Sequence, residues 1–127
     1  MTTARKGLIA TAMVASLLTA APALADSSGV PGKAIGIEHN DDASDDYGTY
    51  HGALFVDEGE DTPRTYRWGG SLCLGRELDI DQQRMLLDAM RSKMILLPYY
   101  KLGNGGTRCL TSFAFTPKKQ AVVDIAK

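Results

Sequence analysis

The chain contains two cysteines, Cys73 and Cys109, and whether they are joined decides how a chain of this size can fold. A lone pair of cysteines forms a disulfide in an oxidising compartment, whereas the reducing cytosol keeps such thiols free. A bridge across 36 positions would remove unfolded-state entropy equivalent to about 4 kcal/mol, a large share of a small domain's stability. We predict that both cysteines are structural; a metal-binding pair or a nucleophile is the alternative.

The N-terminus predicts the compartment. Arg5 and Lys6 precede an apolar run from Gly7 to Ala25, which ends in a small-x-small pattern at residues 23–25. This arrangement is typical of a cleaved export signal rather than a membrane anchor. We therefore predict a signal peptide over residues 1–25, a secreted or periplasmic protein, and no membrane span, because no later stretch approaches the ~20 apolar residues that a spanning helix needs.

Removal of the predicted signal leaves about 100 residues, enough for one small domain. We predict a flexible lead-in over 26–32 and a single domain over 33–127. Charge is unevenly distributed: residues 26–61 carry ten acidic side chains against Lys33 alone, a net charge of −9, and residues 62–127 carry a net charge of +6. This uneven charge has two interpretations. Either the acidic segment forms a face that binds a basic partner, or the acidic and basic halves of the chain pair with each other in the fold.

Alternating and β-branched residues predict strands over 33–39, 47–56 and 64–75, with a bulge or bend at Gly69-Gly70. The helix is predicted from about Asp79 to Lys93, where Asp79 and Gln82 have the spacing of a capping box. Asp81 is the alternative N-cap, since Ile80 and Met85 would flank it as a hydrophobic staple. Asn104-Gly105 suits a two-residue hairpin turn between two further strands, with Tyr100 opposite Cys109. Residues 121–126 are predicted either to add a short final strand or to cross an end of the sheet.

The resulting order β-β-β-α-β-β predicts an α+β fold: a mainly antiparallel sheet of about five strands, with one packed helix and one disulfide. The first hairpin is expected to pair positions near His39 and Tyr47, and Trp68 is expected to lie across from Gly52.

Residues 69–73 read GGSLC, which contains a serine between glycine and cysteine. The nucleophile elbow of hydrolases requires Gly-x-Ser-x-Gly, and Cys73 occupies the position of its second glycine. We therefore interpret Ser71 and its neighbours as scaffold.

Aromatic and arginine residues alternate through the middle of the chain. The predicted binding residues are Trp68, Tyr66, Tyr50, Arg67 and Arg64, and the same set of residue types includes Tyr99, Tyr100 and Arg108. Trp, Tyr and Arg are the residue types most favoured at binding hot spots, although Trp68 would serve equally well as the core aromatic. Nucleic-acid binding is not expected, because the chain without its signal is acidic and its basic residues form no run.

Two weaker sites remain. His51, whose charge changes near neutral pH, is the candidate general acid or base of a small hydrolase. Asp42 and Asp46, in the acidic turn, are candidate calcium ligands, but the EF-hand glycine and closing glutamate positions hold Tyr47 and Ala53.

Together these features favour a binding function over an enzymatic one. We expect an exported binding, inhibitor or immunity-type module for a protein partner or a cell-envelope glycan, with no cofactor and no metal. The alternatives are a secreted hydrolase that uses His51 and a calcium-dependent structural domain.

Overall fold

A computed structural model of the chain describes residues 25–117. The predicted signal, apart from Ala25, and the strand predicted over 121–126 lie outside these residues. The structure contains six strands, one α-helix and one 3-10 turn: β1 (Ser27–Ser28), β2 (Gly32–His39), β3 (Gly52–Asp57), β4 (Arg64–Trp68), α1 (Ile80–Arg91), β5 (Ile95–Leu102), the turn Asn104–Gly106 and β6 (Arg108–Thr116).

The sheet closes into a barrel. β2, β3 and β4 form a meander, and β5 returns after α1 to lie antiparallel beside β2, which is a Greek-key arrangement. β6 pairs with β5 on one side and runs parallel to β4 on the other, which closes a ring of five strands. The prediction of a mainly antiparallel sheet is therefore wrong: the structure is a closed, mixed barrel with one helix.

Bulges explain why the strands can curve into a ring. The register of β2 against β3 shifts between Ala34 and Gly36, and that of β5 against β6 shifts between Tyr99 and Tyr100. An extra residue in one strand bends it and increases its twist, which a closed barrel requires. β1, within the segment predicted as a lead-in, pairs with β5 at Tyr99 and Tyr100.

The second hairpin differs from its predicted register. Its loop spans Gly103 to Thr107 rather than two residues, and Leu102 pairs with Arg108. Asn104 turns toward the segment after β4, where its backbone N–H donates to the carbonyl of Leu72 at 2.9 Å and its side chain donates to the carbonyl of Ser71. These bonds hold the loop in a wider conformation than a tight two-residue turn.

The first hairpin is also longer than predicted. His39 pairs with Gly52 rather than with a position near Tyr47, and residues 41–49 form successive turns instead of the start of a strand. β3 therefore begins five residues later than the aromatic pattern indicated.

The core consists of inward-facing barrel residues covered by α1. Its buried members are Ala34, Leu54, Val56, Tyr66, Trp68, Leu78, Leu86, Leu96 and Leu110. α1 begins at the predicted capping box, where Asp79 accepts from the backbone N–H of Gln82 at 2.8 Å and the Gln82 side chain accepts from the backbone of Asp79. Within residues 25–117, no helix is long and apolar enough to cross a membrane.

The predicted disulfide is confirmed: Cys73 and Cys109 are bonded, and both are buried. Gly52 lies opposite Trp68, as the sequence pairing predicted. A Cβ added at Gly52 would overlap the indole ring, so the absence of a side chain there is what allows Trp68 to occupy the core.

We expect Gly52→Ala to destabilise the protein by about 1–3 kcal/mol, because the added methyl group must displace a buried ring. The melting temperature should fall by roughly 5 to 20 °C. Gly48→Ala is the matched control, since its Cβ would meet no atom within 4 Å. Equal destabilisation by both substitutions in thermal unfolding would contradict this account.

The double substitution Cys73→Ser, Cys109→Ser should lower the free energy of unfolding by up to about 4 kcal/mol, since it frees a loop with a separation of 36 residues. Urea denaturation of oxidised wild type, reduced wild type and the double variant measures the effect. The reduced wild type should resemble the variant, and three equal midpoints would rule out a stabilising bridge.

Candidate functional site

The barrel wall has an opening between β4 and β6. These two strands are paired at a single position, Arg67 with Cys109. Beside that pair, the start of β4 and the loop before β6 enclose a concavity of about 380 Å³. It is lined by Pro63, Arg64, Thr65, Arg67, Gly105, Gly106, Thr107 and Arg108.

Arg67 is held against an aromatic ring. Its guanidinium carbon lies 4.7 Å from the ring centroid of Tyr50, which is the geometry of a cation–π contact. Tyr50 is fixed in turn, because its hydroxyl donates to Oε2 of Glu38 at 2.8 Å. This hydrogen bond raises the pKa of Tyr50 above the ordinary tyrosine value, so the ring under Arg67 stays uncharged.

Arg67 also carries an unused donor. Its Nε is buried and has no hydrogen-bond partner among the described residues. A buried donor without a partner is unfavourable, and native proteins pair nearly all such groups.

Arg108 is held between two rings. Its guanidinium carbon lies 4.3 Å from the ring centroid of Tyr100 and 5.7 Å from that of Tyr66, and its Nη1 donates to the Tyr66 hydroxyl at 3.2 Å. The rings restrict the side chain to one region, which reduces the entropy that ligand binding would otherwise remove.

A buried acid lies behind these arginines. The Glu58 side chain is only 2% exposed and accepts a hydrogen bond from the Tyr66 hydroxyl. Burial, followed by this hydrogen bond, raises the pKa of Tyr66 well above the ordinary tyrosine value. Glu58, Tyr66 and Arg108 therefore form a connected polar network beneath the concavity.

The three arginines differ in how far they are neutralised. Nη2 of Arg64 lies 2.8 Å from Oε1 of Glu60, and its Nε lies 3.9 Å from Oε1 of Glu58. Neither Arg67 nor Arg108 has a carboxylate within ion-pair distance among residues 25–117. The concavity is therefore cationic.

The structure separates the five predicted binding residues into two layers. Arg64 and Arg67 line the concavity, and Tyr50 lies against Arg67. Tyr66 and Trp68 are 0% and 1% exposed and belong to the core. Strand alternation accounts for this division, because residues 66 and 68 share the inner side of β4 while residue 67 lies on the outer side.

Sequence reasoning did not find Glu58 or the far wall of the concavity. Glu58 follows Asp57 in an acidic stretch that reads as a solvated turn, and no sequence signal distinguishes it from its exposed neighbours. Thr107 and the Gly105-Gly106 pair were assigned to a hairpin turn. The three-glycine composition of residues 103–106 was the available sign of a longer loop.

His51, the candidate acid or base, lies in a different place. Its Nδ1 is 2.8 Å from Oε1 of Glu77, and its ring stacks on Tyr47 with a centroid separation of 3.9 Å. Backbone bonds from His51 to Trp68 and from Asn40 to His51 place it at the end of the β3–β4 ladder. The Glu77 contact joins it to the segment that follows the disulfide.

The candidate calcium ligands Asp42 and Asp46 are both exposed. Asp41 and Asp42 share a hydrogen bond, which raises the pKa of Asp42 and lowers that of Asp41. Asp46 accepts the backbone N–H groups of Thr49 and Tyr50 through its carbonyl. In the part of the chain that the structure describes, no three His, Cys, Asp or Glu side chains are gathered to hold a metal ion.

Comparison of the chain with protein-family models, with curated proteins and with solved structures found no match. The site is therefore interpreted from its own geometry.

The raised pKa of Tyr66 predicts a loss of stability at alkaline pH. The folded state holds the phenolic proton more tightly than the unfolded state, so the stabilisation is complete below pH 10 and falls as the pH rises above it. Tyr66→Phe removes this contribution. The variant should be less stable than wild type at pH 7, because the buried Glu58 loses a donor, and the difference should narrow above pH 10.

Urea denaturation of both proteins at pH 7, 9 and 10.5 measures the difference. The control for loss of a phenol is Tyr99→Phe, because the Tyr99 hydroxyl forms no hydrogen bond with the described residues. A constant gap between wild type and Tyr66→Phe across this range would contradict the role assigned to Tyr66.

Proposed function

We propose that this protein is a small exported binding domain, and that it recognises an acidic partner through the concavity between β4 and β6. One observation carries the proposal: Arg67 and Arg108 both line the concavity, and neither has a carboxylate partner among the described residues. A lining that carries positive charges without carboxylate partners attracts acidic groups.

The way the arginines are held supports a binding role. Each is stacked on a tyrosine ring, Arg67 on Tyr50 and Arg108 on Tyr100. Side chains that are fixed before a ligand arrives lose less entropy on binding, so the same contacts give a higher affinity. An arginine that only kept the protein soluble would gain nothing from such support.

The architecture is compatible with this location. Five-stranded Greek-key barrels of the OB type bind oligosaccharides and oligonucleotides on the face of their second and third strands and with the loop between the fourth and fifth. In this chain the corresponding elements are β3, β4 and the loop 103–107, and the latter two line the concavity. Since a fold alone does not determine function, the argument depends on the arginines.

Export is supported by the sequence of residues 1–25 and by the disulfide between Cys73 and Cys109. A stabilising disulfide is typical of proteins that work outside the reducing cytosol. The partner proposed here is therefore a component of the cell envelope or of the surrounding medium, either a protein or a glycan.

The hydrolase alternative has one favourable observation, the contact of His51 with Glu77. A carboxylate that orients an imidazole is one part of several hydrolytic sites. However, Glu77 is 56% exposed, and both cysteine sulfurs are committed to the disulfide. His51 with Glu77 is better explained as a tie between the loop 41–50 and the segment that follows β4.

We expect Arg67→Gln to weaken capture of the partner from an envelope and culture extract by roughly tenfold or more, because it removes a charged donor at the centre of the site. Arg84→Gln, on the exposed side of α1, is the matched control and should leave capture unchanged. Immobilised wild type and both variants are compared at about 0.05 M and 0.5 M salt, since added salt screens exposed charges.

Unchanged melting temperatures show that both variants are folded. Capture of the same partner in equal amounts by wild type and Arg67→Gln would contradict the proposed site. If the wild-type protein captures no partner at either salt concentration, the binding function itself is contradicted.

A further inference from the structure

We propose that Asn104 is a site of spontaneous deamidation in the folded protein, and that its conversion to an aspartyl residue releases the loop 103–107 from the segment that follows β4. Because this loop borders the concavity, the conversion also lowers the affinity for an acidic partner. That last step rests on the binding function proposed above. Water is the co-reactant, and the reaction needs no enzyme.

The reaction joins the asparagine side chain to the next peptide nitrogen. The backbone nitrogen of Gly105 gives its proton to a solvent base and bonds to Cγ of Asn104, the bond from Cγ to Nδ2 breaks, and ammonia leaves with protons taken from the solvent. Water then opens the five-membered ring at either of its two carbonyl carbons, which gives aspartate or isoaspartate. One water is consumed and one ammonia is released, and nothing is oxidised or reduced.

The surroundings of Asn104 favour ring closure. Asparagine amides are among the thermally labile groups of proteins, and a glycine that follows has no Cβ to hinder the attacking nitrogen. Asn104, Gly105 and Gly106 are all exposed. A Cβ built at Gly105 would meet no atom within 4 Å, so solvent has access to this part of the loop.

The other asparagine of the chain, Asn40, has the opposite surroundings. It is 7% exposed, and its Nδ2 donates to the backbone carbonyl of Tyr50 at 3.0 Å. The residue after it is Asp41, whose side chain hinders the approach of its own nitrogen, unlike glycine. Asn40 is therefore an internal control for the reaction at Asn104.

Asn104 attaches the loop to the segment after β4. Its backbone N–H donates to the carbonyl of Leu72 at 2.9 Å, and its side-chain amide donates to the carbonyl of Ser71. An ionised carboxylate in place of the amide has no proton to donate, and its oxygens are repelled by the Ser71 carbonyl oxygen. The isoaspartyl form also adds one carbon atom to the main chain. Both products therefore weaken the attachment.

Deamidation also changes the charge beside the concavity. Gly105, Gly106 and Thr107, which directly follow Asn104, line this concavity. The new carboxylate places a negative charge next to a lining whose arginines attract acidic groups. A loop that is no longer held also loses more entropy when a partner binds. Both effects lower the affinity for an acidic partner.

The first measurement is mass spectrometry of the oxidised protein during incubation at mildly alkaline pH, where base removes the Gly105 proton. We expect an increase of about one dalton in the peptide that contains Asn104, at a rate at least tenfold higher than at Asn40. Asn104→Gln is the matched variant, because it keeps the amide donor but would need a larger ring, and its mass should stay constant. Absence of the increase at Asn104 in the folded protein, or equal rates at both asparagines, would overturn the proposal.

The second measurement is hydrogen exchange of the backbone N–H at position 104, which donates to Leu72 in the wild type. Asn104→Asp, which reproduces the aspartate product, should exchange this hydrogen at least tenfold faster than the wild type, because the loop is released. Equal exchange in the two proteins would show that the loop stays attached, and would overturn the release step.

The third measurement compares capture of the partner before and after incubation. Incubated wild type should capture at least threefold less partner than fresh wild type at low salt, whereas incubated and fresh Asn104→Gln should be equal. Equal capture by incubated and fresh wild type overturns the effect on affinity. If fresh wild type captures nothing, the proposed function fails, while the mass and the hydrogen exchange still decide the deamidation, so the two failures are distinguishable.

Discussion

The pairing of Arg67 with Cys109 is the contact on which the rest of the structure depends. It is the single position at which β4 meets β6, and it turns a curved sheet into a ring. The disulfide acts on the same point, because it joins Cys109 to Cys73 in the segment that follows β4. Asn104 adds a hydrogen bond from the loop before β6 to Leu72 in that segment. Closure is therefore held by one backbone pair, one covalent bond and one turn.

A closure made at one point leaves the wall open beside it, and the candidate site occupies that opening. Two arginines beside it are held on aromatic rings: Arg108 lies over the rings of Tyr66 and Tyr100, and Arg67 lies over Tyr50. The buried Glu58 accepts from Tyr66 and lies near Arg64, so its charge is neither free nor fully compensated. Burial of such a group is unfavourable unless neighbouring donors satisfy it. The network that stabilises the acid is thus the same network that positions the arginines.

Local features of the fold could be predicted from the sequence. The capping box at Asp79, the strand containing Trp68, the room provided by Gly52 and the disulfide all follow from adjacent residues or from spacing, and the structure contains each of them. Barrel closure could not be predicted in this way, because it depends on a parallel contact between strands that lie about 40 residues apart and on bulges at Ile35 and Thr111. The bulge in β6 also places Leu110 in the core cluster, against which Phe113 and Phe115 of the same strand pack.

The candidate site shows the same limit. The sequence indicated the aromatic and basic residue types, but it did not indicate which of them lie in the core and which lie outside the barrel. A list of residues does not show which side of the barrel wall each side chain faces. Once the ring is closed, Tyr66 and Trp68 fill the core, and only the arginines and Tyr50 remain to form the outer site. Arg108 directly precedes the disulfide-bonded Cys109, and Arg67 is paired with it. Both arginines therefore lie beside a bond that forms under oxidising conditions, which is the kind of compartment that the N-terminal sequence predicts.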